Sequence, residues 1–112
     1  MRELKSDEAI RAAIKCAITW KSAPTEKALG AIAALRRISK DKRVASLLTE
    51  RLSSSSAAIR YGAAYVLKNV PQRTAFDALK GSALNDSNEN VRICCLHALL
   101  ALALGDANLR PS

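Results

Sequence analysis

The sequence predicts an all-α fold, a short right-handed α-solenoid of about six antiparallel helices. Three observations predict it. The first is an internal repeat of 32 residues. IRYGAAYVL begins at Ile59 and VRICCLHAL begins at Val91, one period later, while ALGAIAAL from Ala28 lies one period before RYGAAYVL. Leu35, Leu67 and Leu99 share one register, as do Gly30, Gly62 and Cys94. The other half of the period also repeats: Val44 overlays Phe76, Leu47 overlays Leu79 and Leu52 overlays Leu84. A period of this size belongs to stacked supersecondary units. The second is composition: 49% of the residues are apolar but only 4% are aromatic, and the prevalence of alanine and leucine suits closely packed helices. The third is that no segment shows the alternation of a strand.

Each helix has its own signals. The first, over 7–20, carries Ile10, Ile14 and Ile18 (or Ala17) at helical spacing and is broken by KSAP. Thr25 can cap the second, over 26–38. The third, over 42–52, follows a turn containing Ser39 and Asp41, and the serine run 53–56 ends it and caps the fourth, over 57–69. Pro71 stops the fourth, and Thr74 with Asp77 forms a cap-like pair for the fifth, over 74–84. Asp86 and Glu89 have capping-box spacing ahead of the sixth, over 89–104, which Gly105 terminates. The connections are short, so consecutive helices should be antiparallel neighbours. Helices of type A (26–38, 57–69, 89–104) alternate with type B (7–20, 42–52, 74–84). One domain, 1–112, then contains a half-repeat 7–24, repeats 25–56 and 57–88, and a terminal half-repeat 89–112.

The segment NDSNENVRICCLHALLAL, residues 85–102, carries an Asp in the turn (Asp86), then Val91-Arg92, a small residue (Cys95) and Ala98-Leu99. This pattern resembles the HEAT-like repeat of the phycocyanobilin-lyase type. The preceding copy matches with Ile59-Arg60, Ala63 and Val66-Leu67, but Ser54 replaces the turn Asp. The copy before that keeps only the small-residue face of Gly30, Ala31, Ala34 and Leu35, with Ala28 in place of the Arg. The resemblance implies a helical-repeat fold. It leaves function open, because such repeats serve scaffolds, chromophore lyases and DNA-repair glycosylases alike. Small residues let neighbouring helices approach closely, and an Arg after the turn can reach a turn carboxylate or helix-end carbonyls of an adjacent repeat. Arg60, Asp86 and Arg92 are therefore expected to act as structural staples, weaker where Ser54 stands in for Asp.

Eighteen Lys and Arg face 10 Asp and Glu, a net charge of +8, which favours acidic partners: nucleic acid, anionic lipid or an acidic protein. The densest cluster is Arg36, Arg37, Lys40, Lys42 and Arg43, tempered by Asp41 alone. Lys68 and Arg73 occupy the equivalent turn one period later, and Lys5 and Arg11 the one before. Stacked turns would align these charges in a basic ridge suited to phosphates, although no aromatics interleave for base stacking. The B helices offer Lys15, Thr19, Thr49, Arg51 and Lys80 as outward positions of a concave face.

Trp20 shares the register of Leu52 and Leu84 and is expected in the core or as a partial cap of the N-terminal end. Tyr61 and Tyr65, at i and i+4, are expected to pack against Ile and Leu. The last helix is apolar almost all the way round, which predicts that either the C-terminal tail folds back on it or another protein covers it. Leu96, Leu100 and Leu104 are the candidate interface of a two-fold dimer.

No metal site is expected. His97 is the one histidine, Cys94 lies one turn from it, and Cys16 is far away in the stack. A Cys94–His97 dyad lacks an orienting acid and an oxyanion loop. No phosphate-binding glycine loop, nucleophile elbow or carboxylate pair occurs. No catalytic residue and no cofactor is predicted. The three cysteines have no disulfide-framework spacing and suit a reducing compartment. The N-terminal segment lacks the apolar core of a signal peptide, and no apolar run approaches the roughly 20 residues that cross a bilayer. The expectation is a soluble, cytoplasmic, non-enzymatic protein–protein interaction module or adaptor. The alternative is a nucleic-acid-binding protein using the basic edge.

Overall fold

The structure, a computed structural model, describes residues 6–106 and Leu109. These residues form six α-helices and no strand: α1 (Asp7–Ile18), α2 (Glu26–Arg37), α3 (Lys42–Arg51), α4 (Ala57–Leu67), α5 (Arg73–Asn85) and α6 (Glu89–Gly105). A short side-chain acceptor opens most of them. Ser6, Thr25, Asp41, Ser56 and Asn88 each take a backbone N–H of the first turn of α1, α2, α3, α4 and α6, satisfying donors that a helix start leaves unpaired.

Two helix starts differ from expectation. Thr74 and Asp77 do not cap α5, which begins at Arg73 behind Gln72 and has no side-chain cap. The Gln72 amide is engaged elsewhere, donating to the carbonyls of Ser39 (2.7 Å) and Asp41 (2.9 Å) one repeat away. Asp86 and Glu89 do not form a capping box either. Asn88 caps α6, while Asp86 Oδ1 accepts the Asn88 N–H at 2.9 Å and so shapes the turn.

The helices stack in two rows. α1, α3 and α5 lie side by side in one, and α4 and α6 in the other; α1 also pairs with α2, α3 with α4 and α5 with α6. The tightly packed hairpins thus run from a B helix to the next A helix, and α2 and α3, expected as antiparallel neighbours, barely touch. The molecule measures 38 × 30 × 20 Å, and its short axis is two helices deep at about 10 Å between axes. The core follows the repeat. Leu35 and Leu67 are buried and Leu99 is half-buried; Val44 and Phe76, and Leu47 and Leu79, are buried in equivalent pairs. Each such fully buried aliphatic side chain contributes about 1.5–3 kcal/mol.

The register breaks down at the edges of the stack. Leu84 was expected in the core with Leu52, yet it is 78% exposed. α3 is flanked by α1 and α5, whereas α5 has α3 on one side and no further described helix of its row on the other. α2 rests chiefly on α1, and its Leu29 and Gly30 are exposed.

α4 docks on the C-terminal end of α1 at Gly62. A Cβ there would stand 2.5 Å from the Ile18 carbonyl oxygen and 3.0 Å from Ile18 Cα. The missing side chain is what lets the two backbones approach. A Cβ on Gly30, at the same place in the period, would meet nothing.

Candidate functional site

α1 ends at Ile18, two residues before the expected Trp20. The chain peels away there, with Trp20 Nε1 donating to the Ala17 carbonyl at 2.9 Å. The released indole lies across α4. Its ring meets Tyr61 edge-on at 5.9 Å and Tyr65 at 5.4 Å, with interplanar angles of 86° and 79°. Tyr61 and Tyr65 thus pack against Trp20 as well as against the aliphatic core. Lys68, three residues beyond Tyr65, sets its ammonium 3.8 Å from the centre of the Tyr65 ring, a cation–π geometry.

This cluster forms one wall of an open groove between α4 and α6, with a volume of about 530 Å³. Small residues, Ala57, Ala64 and Ala98 among them, leave the space. Lys21, Lys68 and His97 contribute the basic groups, and no Asp or Glu lines the groove. The first turns of both helices, at Ala57, Ala58 and Asn90, open on it, which adds the positive ends of two parallel helix dipoles. The sequence offered the B helices as a concave face, whereas this groove lies on the A helices. A signal for it exists. Leu29, Tyr61 and Ile93 are one period apart, and all three are apolar and at least partly exposed, so the repeat presents an apolar outer position throughout.

The basic edge is less open than its charge count suggests. Arg36, Arg37, Lys40 and Lys42 are exposed. Arg43 is held on both sides: Nη1 donates to Asp7 at 2.8 Å, and Nε and Nη2 donate to Asp41 at 3.1 and 2.8 Å. The Arg43 guanidinium in turn keeps the Asp41 carboxyl below its ordinary 3.8. Arg73 lies 3.9 Å from Asp77 and over the Phe76 ring, and Lys68 turns into the groove. Arg11 is exposed, and Lys5 lies outside the described residues.

The arginines of the repeat bridge its turns. Arg60 donates through Nε and Nη2 to the Asp86 carboxylate at 2.9 and 3.3 Å, and through Nη1 to the Ser54 carbonyl at 2.9 Å. Arg92 Nη1 donates to the Asp86 carbonyl at 2.8 Å, repeating the Arg60–Ser54 bond one period later. Burial opposes ionisation of Asp86, but the Arg60 guanidinium and the Asn88 N–H outweigh it and hold the carboxyl below 3.8.

Along α6, Leu96, Leu100 and Leu104 are 50%, 60% and 74% exposed. Ile93 is also exposed and lines the groove, so the leucine row and the groove are continuous. Ile32 and Ala64, the equivalents of Leu96, are both buried. Cys94 and Cys95 are buried, and burial pushes their thiols up to about 11 and about 12. A thiol near neutral pH is then protonated and a poor nucleophile, and Cys94 Sγ is directed at the Tyr61 carbonyl, 3.7 Å away. Among the described residues no cluster of His, Cys, Asp and Glu could hold a metal, and no helix is long and apolar enough to cross a membrane.

Helix pairs in register, a small-residue face and turn-bridging arginines define an α-helical repeat protein. The chain belongs to the HEAT-repeat family, whose model matches residues 10–100. No curated protein and no solved structure gives a match.

Proposed function

We propose that this chain is a non-enzymatic protein–protein interaction module, an adaptor that holds a second copy of itself on α6. HEAT repeats commonly serve as interaction scaffolds. The observation that carries the reading is the row of Leu96, Leu100 and Leu104 on the solvent side of α6. Soluble monomers rarely leave a continuous apolar row open. The row bears no charge, so two copies of a +8 protein can meet there without opposing like charges. Crossing about a two-fold axis, it is complementary to itself.

Size-exclusion chromatography with light scattering tests this. The 12.0 kDa chain should elute at twice its mass at tens of micromolar, and Leu100→Glu should return it to a monomer with its helix content unchanged. A wild-type monomer at that concentration overturns the second-copy reading.

Nucleic-acid binding along Arg36, Arg37, Lys40, Lys42, Arg43, Lys68 and Arg73 is the competing reading. The exposure of the first four favours it, while the pairing of Arg43 and the direction of Lys68 weaken it. Cytoplasmic residence belongs to the same proposal and rests on the three free cysteines.

A further inference from the structure

We propose that the groove between α4 and α6 binds an acidic, amphipathic helical peptide segment of a protein partner. Carboxylates of that segment would meet Lys21 and Lys68, and an apolar side chain would rest among Trp20, Tyr61 and Ile93. This names a partner for the groove that adjoins the leucine row, and it rests on the adaptor reading only in that the ligand is a protein.

Three observations select that ligand. The first is charge. Lys21, Lys68 and His97 line the groove without a single carboxylate, and the N-terminal turns of α4 and α6 open onto it. No salt bridge ties down Lys21 or Lys68 among the described residues, so both ammonium groups can receive an acid. The second is shape. From Ala57 to Lys68 the groove follows α4 for roughly three helical turns, about 16 Å, along two parallel helices with alanines between them. An amphipathic helix fits a trough of this kind, with anchors one turn apart. The third sets this ligand apart from nucleic acid. Single-stranded bases need free ring faces. Here the rings meet edge to face, and the Lys68 ammonium covers one face of Tyr65.

The chain contains one tryptophan, and it lines the groove, so intrinsic fluorescence reports occupancy directly. The probe is a synthetic helical peptide of roughly 14 residues with Glu on one face and Leu and Phe on the other. Its controls are the same peptide with Gln for every Glu, and an oligothymidylate of similar length. The acidic peptide should shift Trp20 emission saturably at micromolar concentration, and the Gln peptide should bind at least about tenfold more weakly. Lys21→Glu, in an exposed loop, and Lys68→Glu should each weaken the acidic peptide about tenfold, with unchanged thermal melts showing that the fold is intact. Equal affinity for the Gln peptide overturns the proposal. So does a shift with the oligothymidylate but not with the acidic peptide, and so does silence with every probe. Silence from Trp20 in a protein that elutes at twice its mass removes the groove assignment and leaves the α6 reading standing.

Discussion

Gly30 and Gly62 occupy one place in the sequence period, yet their surroundings give them opposite roles. Open space surrounds Gly30, so Gly30→Ala should stabilise the protein by about 0.5–1 kcal/mol through helix propensity. In Gly62→Ala the new methyl would meet the Ile18 carbonyl oxygen, a backbone atom that cannot swing aside. Overpacking of about 1–3 kcal/mol should outweigh the propensity gain, and urea denaturation of the two variants should move in opposite directions. The arginines divide in a similar way. Arg60 grips a carboxylate that is nearly inaccessible, whereas Arg92 makes a single bond to a carbonyl. Asp86→Ala leaves that guanidinium without its carboxylate and should destabilise by about 3 kcal/mol; Arg92→Ala should cost about 1 kcal/mol. The Asp86 carboxyl is held below 3.8 in the folded protein. Its contribution is therefore complete above the unfolded value of 3.8 and is lost as pH falls through the folded value. Measured against pH, the stability difference between wild type and Asp86→Ala should be flat at neutrality and close in acid.

Helices with nearly the same pattern differ in how much of them is covered. α4 touches α1, α3, α5 and α6, whereas α2 rests chiefly on α1. Local opening is cheapest where buried apolar contact is least. Native-state hydrogen exchange should therefore show the Ile32 and Leu35 amides of α2 exchanging faster than those of Ala63 and Val66 in α4; equal protection would mean that α2 is covered more fully than the packing indicates. α6 is the opposite case, a helix long and apolar enough to be interior with one face left open at Leu96, Leu100 and Leu104. The starts of α2, α3 and α4 could be read from short polar residues ahead of them, whereas the Ser6 cap of α1 was not among those expected and at α6 the cap shifted from Asp86 to Asn88. At α5 the expectation from Thr74 and Asp77 failed, because the helix begins behind Gln72, whose side-chain amide is engaged by the Ser39 and Asp41 carbonyls one repeat away.

On the scale of the whole molecule, net charge and charge placement have to be separated. The excess of +8 is present in the sequence, but pairing withdraws Arg43 from the edge and stacking directs Lys68 into the groove. Nucleic-acid binding is therefore expected to be weak and salt-steep. Titration of labelled duplex and single-stranded DNA and RNA at two salt concentrations should show little binding at 0.15 M salt. Tight binding at that concentration, abolished by neutralising Arg36, Arg37, Lys40 and Lys42, would favour the basic edge over α6 and the groove as the working surface.

The sequence by itself determined the helices, the spacing of the core, the caps of α2, α3 and α4 and the arginines poised to bridge turns. Each of these depends on residues within one period, where backbone geometry and apolar spacing act locally. Tertiary structure alone decided which equivalent positions are covered. Leu52 is roofed while Leu84 is bare, and Ala64 is enclosed while Leu96 faces solvent, because burial depends on having a neighbour in the stack. It also brought Trp20 onto Tyr61 and Tyr65 across some 40 residues of chain, making a groove from side chains whose local patterns had pointed to the core.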